Sequence, residues 1–246
     1  MDNVAVYVRD LRKRYGRIEA LRGISFSVKR GEIFGIVGPN GAGKTTTLRI
    51  IATLIKPTSG IVKVFNLDVV KHRNKVRKLI SYLPEEAGVY DRLTGWENLL
   101  FFARLYAEDY SEAEMMANYG ARIADLGSRL YDKAETYSKG MKRRLLLAKT
   151  LMLKPKLALL DEPTTGLDVF AAVEIRNLIK EYAKEFNTTI ILSSHNMLEV
   201  EFLCDRVALI NKGIIIDIGT PTDLKEKYNV NNLEEAFVNA IRGVRK

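Results

Sequence analysis

Residues 38–46 read GPNGAGKTT and form a glycine-rich segment between two patterned stretches. The apolar run Ile33–Val37 precedes it and is typical of a buried strand, while residues 47–52 carry apolar side chains at helical spacing. The spacing G-x-x-x-x-G-K-T is met from Gly38 to Thr45. A strand, a glycine-rich loop and a helix in this order predict a phosphate-binding loop.

Each residue type in this loop has a physical reason to be there. Gly38, Gly41 and Gly43 allow positive backbone torsions and leave room for main-chain N–H groups to turn toward phosphate oxygens. A helix that begins near Gly43 adds free N–H donors and the positive end of its dipole. Lys44 is expected to reach the β and γ phosphates, and the Thr45 hydroxyl is expected to ligate Mg²⁺.

Length and composition indicate a folded globular protein. The chain has 246 residues, 47% of them hydrophobic, which is ample material for a core. Its longest apolar runs, such as 99–103 and 157–160, fall well short of the roughly 18 to 20 residues of a membrane span. The N-terminus has no secretory signal pattern, and the single Cys204 excludes an internal disulfide. We therefore expect a protein that stays in the cytosol.

The basic charge of the chain leaves its partners open. A formal net charge of +9 and a pI near 9.5 are typical of nucleic-acid binders, and anionic membrane surfaces also attract such chains. The cations lie in clusters at 12–14, 71–78 and 139–144. No cluster has interleaved aromatic residues of the kind that stack on bases, and each is therefore interpreted as a solvated face.

The first third of the chain predicts strands on both sides of the loop. Val4–Arg9 and Ile24–Val28 alternate as strands do, and we expect them to form a small antiparallel region with the strand before the loop. Strand character resumes at Ile61–Phe65, and Lys71–Leu79 reads as a short basic helix. A further strand from Ile80 stops at a proline.

Residues 87–154 are predicted to be helical. Thr94–Glu97 and Ser111–Glu114 have the pattern of a capping box, and a third helix is expected from about Lys139 to Leu153. No strand pattern interrupts this segment. It is interpreted as a helical insertion within an α/β core.

Strand and helix patterns alternate again after residue 154. Apolar runs at 157–160 and 189–192 flank an amphipathic helix capped by Asp168, and a hairpin is expected around residues 211–213. This alternation predicts a mostly parallel sheet covered on both faces. The predicted fold is a single α/β domain of P-loop NTPase type, comprising a nucleotide-binding core (1–86 and 155–220), a helical subdomain (87–154) and a C-terminal helical tail (221–246).

Two acidic residues follow the strand at 157–160. Because ligands bind at the carboxyl ends of parallel strands, Asp161 is expected to bind Mg²⁺ through a water. Glu162 stands at the same edge, and a carboxylate not consumed by the metal can orient or deprotonate an attacking water. His195 follows the strand that begins at Thr189 and is predicted to act near the γ-phosphate.

Two further features are open to more than one interpretation. Ser138 is a good N-cap for the helix from Lys139, and that helix N-terminus is a second potential phosphate site. Any capped helix shows the same pattern. Tyr15, on a turn before Gly16, is from the residues alone better interpreted as an aromatic that packs on a hairpin than as a ligand contact.

Together these motifs resemble those of the nucleotide-binding subunit of an ATP-binding cassette (ABC) transporter, over about residues 4–221. GPNGAGKTT resembles the Walker A motif, and ALLDE at 158–162 resembles the Walker B motif. YSKGM at 137–141 stands in the place of the family signature. Gly166-Leu167-Asp168 matches the D-loop and His195 matches the switch histidine.

The resemblance implies a role for each motif residue. Glu162 and His195 are implied as the catalytic pair. The implied Mg²⁺ ligands are Thr45, Glu85 and Asp161, and Asp168 is an implied dimer contact. The implied ATP contacts are Tyr15 on the adenine, the loop residues Gly38, Pro39, Asn40, Gly41, Ala42, Gly43, Lys44, Thr45 and Thr46, and, from a second chain, Ser138 and Gly140.

Two departures from the family pattern affect these roles. Glu85 stands where the family usually has glutamine, which adds a negative charge and removes an amide donor. In the signature, Lys139 replaces a glycine and Met141 replaces a glutamine, while Ser138 and Gly140 are kept. We expect a competent site with altered affinity.

The resemblance also implies partners and a location. A second ATPase chain, identical or closely related, would close two ATP molecules between the subunits. Separate transmembrane permease subunits would use the resulting motion, with this chain peripheral at the cytoplasmic face of the membrane and soluble when isolated. Three segments are similar to an export-type, drug-resistance subgroup, namely residues 83–86, 90–98 and 233–237. No nucleic-acid partner is expected.

Two alternatives compete with transport. A soluble ABC-type ATPase that acts on nucleic acid or ribosomes would explain the basic charge, but such relatives usually carry two cassettes or a long coiled-coil insertion, and neither pattern is present. A P-loop GTPase or kinase fits less well, because Asn211–Ile214 lacks the acid of a guanine-reading N-K-x-D motif.

Overall fold

A computed structural model of the chain describes residues 3–244. Within these residues the elements follow one another as β1 (Val4–Tyr15), β2 (Ile18–Lys29), β3 (Ile33–Val37), α1 (Lys44–Ile51), β4 (Ser59–Val64), β5 (Leu67–Asp68), α2 (Arg73–Arg77), β6 (Ile80–Leu83), α3 (Gly95–Ala103), α4 (Tyr110–Ala124), α5 (Lys139–Leu151), β7 (Leu157–Asp161), α6 (Val169–Phe186), β8 (Thr189–Ser194), α7 (Met197–Leu203), β9 (Arg206–Asn211), β10 (Ile214–Gly219), α8 (Pro221–Tyr228) and α9 (Leu233–Val244). Two short 3₁₀ helices, Gly127–Tyr131 and Ala134–Thr136, lie between α4 and α5.

A six-stranded sheet in the order β10-β9-β3-β8-β7-β6 carries the phosphate-binding loop. Its neighbours pair in parallel from β9 through β6, and only β10 is antiparallel, as the hairpin partner of β9. Strands β3, β7 and β8 are buried along their whole length. The predicted α/β fold with a mostly parallel sheet is confirmed.

A second, four-stranded antiparallel sheet has the order β2-β1-β4-β5. The antiparallel region itself is confirmed, but the prediction that β3 belongs to it is wrong. β3 is apolar on both faces and needs cover on both, which only the interior of the parallel sheet provides. The sheets meet where Phe26 of β2 stacks on Phe34 of β3, with ring centroids 5.4 Å apart.

Helices α3, α4 and α5 pack around their own apolar cluster, which includes Leu99, Ala117 and Leu145. The predicted capping box at Thr94 is confirmed, since its side chain accepts the N–H of Glu97. The prediction of Ser111 as a cap is wrong. The N-cap is Asp109, whose carboxylate accepts the N–H of Glu112 at 2.8 Å and starts α4 earlier than expected.

The remaining helices differ from the predictions mainly at their ends. The basic helix α2 is shorter than the expected 71–79, and α5 ends at Leu151 rather than 153. Helix α8 lies within the predicted helical tail and begins at Pro221, where Thr220 caps it in a capping box. Across residues 3–244, no helix combines the length and the apolarity that crossing a membrane requires.

Candidate active site

A cavity of about 350 Å³ opens where the loop after β3 meets the start of α1. Most of its wall is the predicted phosphate-binding loop. The residues that line it are Ala20, Asn40, Gly41, Ala42, Gly43, Lys44, Thr45, Thr46, Glu85 and Glu162. Another cavity, of about 410 Å³, involves α4 and α6 and contains none of the predicted site residues.

The loop glycines serve two different purposes. Gly41 and Gly43 have φ angles of 77° and 110°, as predicted, and Gly43 is the N-cap of α1. Gly38 has no such positive torsion. A Cβ at Gly38 would lie 2.0 Å from the main-chain oxygen of Ile210, and glycine is therefore required there for the close approach of β9.

Lys44 is buried at the mouth of the loop. Its Nζ donates to the main-chain oxygens of Gly38 and Pro39 at 2.8 and 3.3 Å. The same Nζ lies 3.2 Å from Oε1 of Glu162. Both side chains are almost fully buried, at 6% and 4% exposed. The structure thus brings together the predicted phosphate-binding cation and the predicted catalytic carboxylate.

Asp161 is fully buried at the end of β7 and anchors a small polar network. Its Oδ1 accepts from the Thr45 and Ser193 hydroxyls at 3.0 and 2.5 Å, and its Oδ2 accepts from the Tyr82 hydroxyl at 3.0 Å. Burial and the charge of Asp161 raise the pKa of Tyr82 to about 12. Ser193 and Tyr82 were not predicted; only their place on β8 and β6, which flank β7, could have indicated them.

The residues near Asp161 fit a hard cation such as Mg²⁺. The Thr45 hydroxyl and the Asp161 carboxylate present oxygen atoms beside the loop. The exposed Glu85 adds a second carboxylate to the lining of the cavity. Within the described residues, no group of three or more His, Cys, Asp or Glu side chains is arranged to hold a metal. This donor set suits an ion that keeps several waters and shares phosphate oxygens.

Glu162 is held by side chains from three directions. In addition to the Lys44 contact, its Oε2 accepts from the Thr165 hydroxyl at 3.1 Å and lies 2.8 Å from Nδ1 of His195. Because a carboxylate only accepts, Nδ1 of His195 carries the proton in this contact. The His195 side chain is 48% exposed, and it thus links the buried carboxylate to the surface.

Eight predicted site residues do not line the cavity. Four of them hydrogen-bond to residues that line it, namely Gly38, Pro39, Asp161 and His195. The other four are Tyr15, Ser138, Gly140 and Asp168. Tyr15 ends β1 and is 45% exposed, with Lys13 Nζ 4.8 Å from the centre of its ring. Ser138 is the exposed N-cap of α5, and Gly140 follows in the first turn of that helix. Asp168 is exposed and caps α6. None of the four lines the cavity of its own chain.

The starts of α5 and α6 lie against each other. A Cβ at Gly140 would be 3.0 Å from the Cβ of Ala171. Next to this contact, Val169 and Phe170 are 82% and 75% exposed. Ser138, Gly140 and Asp168 therefore share one surface that also presents two uncovered apolar side chains.

Comparisons with known proteins agree with this arrangement. The sequence model of the ABC transporter family matches residues 21–165. The linearmycin resistance ATP-binding protein LnrL of Bacillus subtilis is 41% identical over 246 residues, which cover 96% of this chain and 78% of LnrL. A solved ATP-binding subunit of an ABC transporter has a TM-score of 0.82 at 29% identity, covering 96% of this chain and 99% of that one. A dimeric ATP-binding cassette in a post-hydrolysis state, bound to ADP and Pi, has a TM-score of 0.76 at 28% identity, covering 87% and 98%. The chain belongs to the ATP-binding cassette transporter family and is an ATP-binding ATPase of that family.

Proposed function

We propose that this ATPase drives export through separate transmembrane subunits and that two copies of the chain enclose two ATP molecules. The observation that carries the proposal is the position of Glu162, buried between Lys44 of the loop and His195. A carboxylate in this place can act on a water next to a phosphate that Lys44 holds.

Different residues of the chain bind the phosphates, hold the metal and act on the attacking water. The loop N–H groups and Lys44 bind the β and γ phosphates. Thr45, Asp161 and Glu85 would hold Mg²⁺, which when bound neutralises phosphate charge and orients the γ-phosphate. Glu162 orients the attacking water and accepts its proton. His195 donates from Nδ1 to Glu162 and keeps its carboxylate in place.

The surface around the start of α5 supports a two-chain site. Neither Ser138 nor Gly140 lines the cavity of its own chain, and the exposed Ser138 can meet ATP held by another. The exposed Val169 and Phe170 beside Asp168 are apolar groups that a second copy would cover. The similarity to a dimeric ATP-binding cassette supports the same arrangement.

An aromatic surface supports docking of a permease at the cytoplasmic face of a membrane. The rings of Tyr90, Phe101 and Phe102 pack together. The centroid of the Tyr90 ring lies 5.2 Å from that of Phe101 and 5.9 Å from that of Phe102. Tyr90 and Phe101 remain 49% and 42% exposed, and Tyr90 lies five positions after Glu85 in the chain. Export, rather than import, rests on the resistance name of the Bacillus relative.

Two measurements test this function. The purified chain should release phosphate from ATP with Mg²⁺, and EDTA should abolish the release. A tagged copy purified from its native membranes should bring with it a protein with several membrane-spanning helices. If instead ribosomes or RNA copurify and stimulate the ATPase, the soluble alternative replaces the transporter.

A further inference from the structure

Arg143 of α5 is a buried cation that hydrolysis, as described above, does not use. The residue is only 8% exposed, and its Nη2 donates to the main-chain oxygen of Glu162 at 3.4 Å. Burial lowers the pKa of this guanidinium, while the charges of Glu85 and Glu199 act in the opposite direction. Because arginine keeps its proton in proteins, the contact to Glu162 is charge-assisted.

Glu162 needs such a contact, because its backbone conformation is unfavourable. Its φ angle is 49°, in the left-handed region that residues with a Cβ rarely adopt. Its N–H is fixed by the main-chain oxygen and the hydroxyl of Ser193 on β8, both at 3.1 Å. On the other side, the Glu162 carbonyl accepts from the Thr165 N–H at 3.3 Å and from Arg143. The backbone orientation of Glu162 therefore depends on β8, on the turn that follows Glu162 and on α5 together.

The guanidinium is only partly satisfied. Within residues 3–244, Nη1 of Arg143 has no hydrogen-bond partner, and the same holds for Oε1 of the buried Glu199. The other oxygen of Glu199 accepts from the Ser194 hydroxyl at 2.7 Å. Buried polar groups are normally paired, so the unused donor leaves the guanidinium able to take a further partner.

We propose that Arg143 is a positioning residue through which α5 couples the occupation of one ATP site to the activity of the other. The inference rests on the two-chain function proposed above, in which Ser138 and Gly140 at the start of α5 meet the partner's ATP. Arg143 lies five positions after Ser138, about 7.5 Å along the helix axis. Occupation of the partner's site thus acts on Glu162 of the chain that supplies α5.

The neighbouring Arg144 offers a matched control on the same helix. Its guanidinium lies 3.0 Å from Asp125 and 3.4 Å from Glu174, and its Nε donates to the main-chain oxygen of Ala124. These contacts tie α5 to the rest of the helical segment and to α6, and none reaches Glu162. Arg144→Gln removes the same charge without touching the proposed path.

The test compares Arg143→Gln, Arg143→Lys and Arg144→Gln with the unmodified chain. Rates of ATP hydrolysis over a range of ATP concentrations give kcat and the Hill coefficient, a direct titration gives nucleotide affinity, and melting temperature reports stability. Arg143→Gln should lower kcat about tenfold and bring the Hill coefficient from above 1 to 1. Nucleotide affinity should be unchanged. Arg143→Lys, which keeps one charged donor, should give intermediate values.

Two results would overturn the proposal. One is a Hill coefficient of 1 in the unmodified chain. The other is that Arg143→Gln and Arg144→Gln lower the melting temperature equally and both leave kcat and the Hill coefficient as they are in the unmodified chain. If Arg143→Gln does not fold, Arg143→Lys decides in the same way, by a lower Hill coefficient at an unchanged melting temperature. Glu162→Gln distinguishes failure of the proposed function from failure of the Arg143 inference. If Glu162→Gln keeps full turnover, the proposed function itself fails. If Glu162→Gln is inactive while the Arg143 variants behave as the unmodified chain does, only the Arg143 inference is rejected.

Discussion

Lys44 Nζ and Glu162 Oε1 are 3.2 Å apart, which pairs the phosphate-binding cation with the water-activating carboxylate in one buried contact. A nucleotide that takes Lys44 as its own partner leaves Glu162 with Thr165 and His195. Phosphate binding and the availability of the catalytic carboxylate are therefore linked through one lysine.

Removing the charge of Glu162 should separate binding from turnover. Glu162→Gln is expected to lower kcat by about a hundredfold or more, because an amide cannot accept the proton of water. ATP affinity should be kept, since Lys44 retains its contacts to Gly38 and Pro39. Phosphate release and a nucleotide titration measure the two effects. Glu114→Gln, an exposed change on α4, is the control, and turnover of Glu162→Gln at the control's rate would remove the catalytic role.

Removing Lys44 should act on binding itself. Lys44→Ala is expected to weaken ATP binding at least about tenfold, because a buried, charge-assisted phosphate contact is lost. Isothermal titration measures this affinity directly. Lys184→Ala, on the exposed face of α6, should bind ATP as the unmodified chain does. Equal affinity for all three proteins would exclude Lys44 from the phosphate site.

The two histidines of the chain provide a paired test of His195. His195→Ala is expected to lower kcat about tenfold or more without a matching loss of ATP affinity, because Glu162 loses the donor 2.8 Å from its Oε2. His72→Ala, at the start of the exposed helix α2, should leave kcat unchanged. Identical kinetics of the two variants would show that His195 plays no part in hydrolysis.

The carboxylate of Asp217 makes the stability of the fold depend on pH. Burial opposes the charge of this carboxylate, but Lys227, the Tyr228 hydroxyl and the N–H of Ile218 hydrogen-bond to it and leave its pKa below the ordinary value of an aspartate. A lowered pKa stabilises the fold above the unfolded-state value, and that contribution is lost as pH falls through the folded-state value. Asp217→Asn should therefore lower the melting temperature by about 2–4 °C at pH 7. The difference should shrink below about pH 4, and a difference that does not change with pH would contradict this linkage.

The parts of the site that depend on local sequence could be predicted. The loop from Gly38 to Thr46, the caps at Thr94 and Asp168 and the carboxylates after β7 each carry their signal within a few residues. The family, the α/β fold and the ATPase activity followed from the order of these motifs, and the structure and the comparisons confirm them.

The parts that depend on distant contacts could not be predicted. Strand β3 joins β8 and β9 because it needs cover on both faces, and no local pattern shows which strands supply it. The left-handed backbone of Glu162 likewise depends on Ser193 and on Arg143, which is 19 positions away in the chain. The roles of Tyr15, Ser138, Gly140 and Asp168 remain predictions, since they concern nucleotide and a second chain.

ATP-dependent association tests the two-chain ATPase most directly. Glu162→Gln should bind ATP without hydrolysing it and should therefore accumulate as a dimer. Light scattering at saturating ATP and Mg²⁺ should give the mass of two chains, and the mass of one chain without ATP. Adding Ser138→Arg to the same protein should prevent the dimer, because a bulky side chain would occupy the place of the partner's phosphate. A single-chain mass of Glu162→Gln at saturating ATP would contradict the two-chain site.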